Sequence, residues 1–99
     1  MALKHTEQID RLFRAVLALE EPEECYRFFE DICTVKEILA IAQRLEVARM
    51  LSGGMSYQQT ISQTGASSAT ISRVKRCLEY GEGGYGLILD RLAGGETDQ

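Results

Sequence analysis

The chain has 99 residues and a formal charge of −4, with 44% hydrophobic and 26% charged residues, one Pro and no Trp. That length suits one compact domain over residues 1–99 and excludes a multidomain enzyme, and the composition excludes a disordered chain. No apolar run approaches the roughly 18 residues of a membrane span and no apolar signal core follows Met1, so the expectation is a cytoplasmic protein with no membrane partner.

Between Thr6 and Glu20, Ile9, Leu12, Phe13, Val16 and Leu17 recur at helical spacing and form one apolar stripe. The run Glu21-Pro22-Glu23-Glu24 ends that helix and starts another, because Pro fits a first helical turn and carboxylates complement its exposed N–H groups. Cys25, Tyr26, Phe28, Phe29 and Ile32 make the second helix short and very apolar. Thr34 with Glu37 has capping-box spacing and opens a long third helix that stops at Gly53-Gly54. Its apolar residues, Ile38, Leu39, Ala42, Leu45, Val47 or Ala48, and Leu51, occupy more than one face. Two arrangements could bury so much apolar surface in residues 8–54. One is a partner subunit that makes these dimerisation helices. The other is a monomer in which the fourth to sixth helices cover the same faces.

Ser56 and Gln59 repeat the capping-box spacing and start a fourth helix, Tyr57 to about Gln63, that ends at Thr64-Gly65-Ala66. A fifth begins at Ser67 or Ser68 and runs to Tyr80, closed by Gly81. Residues 81–86 are expected to be a flexible link. Leu87, Ile88, Leu89 and Leu92 predict a terminal helix over 87–93, before a polar tail from Gly94 to Gln99. No alternating strand pattern occurs, so the fold class is all-α with six helices.

Charge singles out one region. Residues 1–54 hold ten acids and seven bases and residues 79–99 five acids and one base, whereas residues 55–78 hold no acid and three bases, Arg73, Lys75 and Arg76. Residues 57–80 also have the anatomy of a helix-turn-helix, with Gly65 at the turn and Ile61, Ile71, Val74 and Leu78 spaced to lock the two helices. The remaining face of the fifth helix is slim and polar. Ser67, Ser68, Ala69 and Ser72 fit a major groove about 12 Å wide and can meet base edges. Thr70, Arg73, Lys75 and Arg76 suit phosphates, where cations release counterions. The same segment also fits an ordinary helical hairpin with a solvated face. On that reading the molecule is a helical protein-protein interaction module without DNA binding.

Three runs carry a resemblance: Arg44 to Leu51, Gly54 to Gln59, and Thr64 to Leu78, with Glu30 to Thr34 extending it upstream. Together they resemble the Trp repressor superfamily, most closely its YerC/YecD subgroup of bacterial Trp-repressor-related proteins, over about residues 8–92. The resemblance implies an interlocked homodimer, a repressor or other regulator bound to double-stranded DNA at a palindromic operator, with half-sites about 34 Å apart. It also implies base contacts by Gln58, Ser68, Ala69 and Ser72 and phosphate contacts by Thr70 and Arg73. Gln58 stands where the Trp repressor has an arginine, so the operator differs. For an amino-acid co-repressor such as tryptophan, the implied positions are Thr34, Arg44, Arg73 and Cys77. Arg44 matches with one residue deleted before Met55, and Cys77 replaces a serine with a poorer hydrogen-bonding group.

Other patterns carry no chemistry. Gly81-Glu82-Gly83-Gly84-Tyr85-Gly86 has the spacing of a dinucleotide-binding loop but joins two helices and follows no strand. His5 is the one histidine, which argues against a zinc site or a Cys–His nucleophile. Cys25, Cys33 and Cys77 lack metal or redox spacing and are expected to be reduced and packed. Arg44 has Glu37 and Glu46 within reach as ion-pair partners. No enzyme constellation is present.

Overall fold

The computed structural model describes residues 3–97, in which the chain forms six α-helices. They are α1 (Glu7–Leu17), α2 (Pro22–Ile32), α3 (Val35–Ser52), α4 (Tyr57–Thr64), α5 (Ser68–Tyr80) and α6 (Gly84–Thr97). The chain falls into two compact units, the first ending at Ile38 and the second beginning at Leu39. No described helix is long and apolar enough to cross a membrane.

In the first unit, local side-chain chemistry sets the helix limits. Thr6 caps α1 by accepting from the Ile9 N–H at 3.2 Å. The helix stops at Leu17, short of Glu20, because Glu20 and Glu21 are taken by the next cap. Their backbone N–H groups donate to Glu24 Oε1 at 2.8 and 3.4 Å, and Pro22 opens α2. Thr34 and Glu37 form the reciprocal cap expected of them. The Thr34 N–H donates to Glu37 Oε1 at 2.8 Å and the Glu37 N–H donates to Thr34 Oγ1 at 3.1 Å. Hydrogen bonds to the carboxylate from the Thr34 backbone N–H and then from the Thr34 hydroxyl hold the Glu37 carboxyl below the usual 4.5.

The apolar stripe of the first unit remains uncovered. No residue of α1 or α2 is buried, and Phe13, Leu17 and Tyr26 are 51%, 83% and 67% exposed. A groove of about 270 Å³ between α2 and the start of α3 is lined by Cys25, Tyr26, Phe29, Glu30 and Ile38.

The second unit holds the core. Val47, Ala48, Ala66, Ile71 and Val74 are buried together, with Leu51, Leu78, Tyr85 and Leu89 packed against them. The end of α3 is a Schellman cap: the Met55 N–H reaches the Met50 carbonyl at 3.0 Å and the Gly54 N–H reaches that of Leu51 at 3.1 Å. Gly54 has φ +92°, the left-handed backbone this cap requires.

Three expectations need correction. The sixth helix begins at Gly84 and ends at Thr97, so residues 84–86 are helical and are not a link, and the helix passes beyond residue 93. Tyr85 and Leu89, one turn apart, pack on the core, which offsets the weak helix preference of four glycines. The expected tail is therefore helical through Thr97, and its last two residues lie outside the described ones. Ile61, expected to face the interior, is 37% exposed. The fully buried residue of α4 is its neighbour Thr60. Last, Cys25 and Cys77 are free but exposed rather than packed, and Cys33 is half-buried.

Candidate nucleic-acid interface

The pair α4 and α5 is fixed at both starts and at the turn between them. Ser56 Oγ accepts from the Gln59 N–H at 3.2 Å, and Gln59 Oε1 accepts from the Ser56 N–H at 3.4 Å. Buried Thr60 donates its hydroxyl to the Ser56 carbonyl at 2.8 Å, so its polar group enters the interior satisfied. At the end of α4, Gly65 adopts φ +71° and its N–H donates to the Ile61 carbonyl at 2.8 Å. A residue with a Cβ would resist that left-handed turn.

The turn is also anchored from α3. Gln43 Nε2 donates to the Thr64 carbonyl at 3.2 Å, Thr64 Oγ1 donates to the Thr60 carbonyl at 2.6 Å, and the Ala66 N–H donates to Thr64 Oγ1 at 3.1 Å. The sequence pattern gives no sign of Gln43, Thr60 or Thr64 in this role. A polar residue inside a helical period reads as solvated until a carbonyl 21 positions away is known to face it.

Ser67 is the N-cap of α5. Its Oγ accepts from the Thr70 N–H at 3.1 Å and donates to Thr70 Oγ1 at 3.1 Å. The hydroxyls of Ser67 and half-buried Thr70 are thus engaged with each other. Ile71 and Val74 point inward and are buried, with Leu78 beside them. Ser68, Ala69, Ser72, Arg73 and Arg76 are all exposed, at spacings that share one side of the helix. Gln58, the second residue of α4, is exposed, and its amide makes no hydrogen bond among the described residues.

The basic residues of α5 are not equivalent. Lys75 Nζ lies 3.4 Å from Glu79 Oε1. Arg73 and Arg76 make no ion pair among the described residues. Two exposed guanidinium groups therefore lie beside a row of small side chains, a combination that can touch phosphate while short groups approach bases.

The four effector positions are divided between the units. Thr34 is in the first, where its Oγ1 is the acceptor in the α3 cap, and Arg44, Arg73 and Cys77 are in the second. Neither acid near Arg44 is its partner. Glu46 pairs with Arg49, whose Nε donates to Glu46 Oε1 at 3.2 Å and holds that carboxyl below its usual value. Glu37 is taken by Thr34. Arg44 is half-buried.

Comparison with known proteins agrees with this geometry. Residues 7–93 match the family described as Trp repressor protein. The uncharacterised protein YerC of Bacillus subtilis is 56% identical over 91 residues, covering 92% of this chain and 88% of the relative. A crystal structure from Staphylococcus aureus, described as a candidate Trp repressor, superposes with a TM-score of 0.88 at 50% identity, covering 90% of this chain and 89% of the other. A TrpR-like protein from Eubacterium eligens gives 0.87 at 49% identity, covering 89% and 91%.

Proposed function

The chain belongs to the Trp repressor family, a family of DNA-binding regulators rather than enzymes, and from that premise we propose that it is a sequence-specific transcriptional repressor acting as a homodimer on a palindromic operator. The observation that carries the reading is the outer side of α5, where Ser68, Ala69 and Ser72 form a thin exposed row beside Arg73 and Arg76. Short side chains can approach base edges without blocking helix entry, and the arginines supply sequence-independent attraction. Gln58 adds an amide with two donors and an acceptor. Ser67 and Thr70 support the face as a cap.

The dimer part of the proposal rests on the first unit. The stripe containing Leu12, Phe13 and Leu17, together with exposed Tyr26 and Ile32, is apolar surface that a second copy would remove from water. Two-fold symmetry then sets two α5 helices about 34 Å apart, one turn of duplex. An amino-acid co-repressor such as tryptophan belongs to the same proposal. Arg44 and Arg73 supply the cations and Cys77 a weak donor.

Selection of duplexes from a randomised pool, with and without a panel of amino acids, tests the reading. A two-fold symmetric consensus is the expected result, sharpened by the effector if one acts. A recovered pool with the composition of the input would refute sequence-specific binding. Replacing Arg73 by Ala lowers affinity for the selected duplex and reduces the salt slope by about one per protomer.

A further inference from the structure

Lys75 and Glu79 are one turn apart on α5, with Nζ and Oε1 at 3.4 Å. Ser68, Ser72, Lys75 and Glu79 succeed one another at intervals of four, three and four residues, which lays them along one line of the helix surface. The cation at the end of the serine row is thus held by the next residue on the same line. Glu79 is the single acid in α5. Helix stability gives no reason for an acid there: a carboxylate in the last turn opposes the helix dipole, and Lys before Glu is the weaker order for a pair four residues apart.

We propose that Glu79 is a positioning residue that restrains the affinity of this face for DNA. It draws Lys75 toward the C-terminal end of α5 and leaves Arg73 and Arg76 as the cations each protomer offers to phosphate. The pair is on the surface and worth little to the fold. Its consequence is electrostatic: one sequence-blind phosphate contact is withheld, so retention on arbitrary duplex falls. This inference rests on the DNA-binding reading above.

The test is a salt titration of binding to a labelled random-sequence duplex of roughly 20 base pairs, two helical turns. Wild type, Glu79→Gln, Lys75→Gln and the double variant are compared, each with its helical content checked by circular dichroism. Glu79→Gln is expected to tighten binding roughly three- to tenfold at about 0.1 M salt and to steepen the salt slope by about 0.9 per protomer, the value of one added phosphate contact. With Lys75 already replaced, the gain from Glu79→Gln shrinks to under about twofold, because the two residues act as one unit. An equal gain with and without Lys75 would overturn the positioning role, since Glu79 would then act only as a repelling charge. An unchanged affinity and slope in Glu79→Gln would also overturn it. Wild-type protein that retains no duplex even at low salt would remove the DNA-binding reading itself, and the restraint with it.

Discussion

Ser67 is the residue at which a structural role and a DNA-contact role can be separated. Its hydroxyl oxygen accepts from the Thr70 N–H at 3.1 Å, so it satisfies one of the donors that a helix start leaves open. Ser67→Ala removes that acceptor at an exposed N-cap, a loss of about 1 kcal/mol. In a domain of this size that lowers the melting midpoint by about 4–8 °C, with wild type and variant compared at equal protein concentration. Ser67→Asp keeps an acceptor and adds a charge that suits a helix N-terminus, so its midpoint stays near or above wild type. At the DNA surface the same charge faces phosphate, and affinity for the selected duplex is expected to fall by roughly tenfold or more at low salt. Thermal melts and fluorescence-anisotropy titrations measure both quantities on the same preparations. A Ser67→Ala variant that melts with wild type would refute the capping account, and a Ser67→Asp variant that binds as well as wild type would refute the placement of this turn against phosphate.

Other expectations follow from the second unit and the caps. Gly65→Ala, at φ +71°, is expected to cost about 1–2 kcal/mol in denaturant unfolding, and Gly65→Asn less, because Asn tolerates the left-handed region. Ile71 is fully buried, so Ile71→Val costs about 0.5–1.5 kcal/mol and Ile71→Ala about 2–5 kcal/mol, with weaker DNA binding following from the loss of fold rather than of contact. Thr64→Val leaves the Ala66 N–H without its side-chain acceptor, a loss of about 1–3 kcal/mol. The carboxyls of Glu37 and Glu46 are both held below 4.5 by hydrogen bonds. A depressed carboxylate contributes stability that is present above its unfolded value and lost as pH falls through its folded one, so the Thr34–Glu37 cap and the Glu46–Arg49 pair should hold at neutral pH and weaken only on acidification below about 4.5. Carbon-detected NMR titration of the two side chains checks this, and midpoints at or above 4.5 would contradict it.

Much of the fold is legible in the sequence because its helix limits are set locally. Thr34 with Glu37 and Ser56 with Gln59 are three residues apart, and a reciprocal cap needs nothing else. Gly65 is equally readable, since the turn demands a backbone that few residues adopt. The sixth helix is less so. The glycines at 84 and 86 argue against helix on propensity, and only the core contact of Tyr85 reverses that balance. The exchange of Ile61 for Thr60 has the same origin. Apolar character favours Ile61 for the interior, but Thr60 carries its own hydrogen bond to the Ser56 carbonyl and can be buried without a penalty. At the site, spacing alone assigns Ser67 and Ser68 alike to the exposed face, and only hydrogen-bond geometry shows that Ser67 is a cap. Likewise, three cations in an acid-free block read as equal until Glu79, just outside that block, is found against Lys75.

The most direct measurement is amide chemical-shift mapping of the protein titrated with a duplex recovered from the randomised pool. The account predicts that the largest changes fall on Gln58, Ser68, Ala69, Ser72, Arg73 and Arg76. Changes concentrated on α1 and α2, with the α5 surface unmoved, would contradict it.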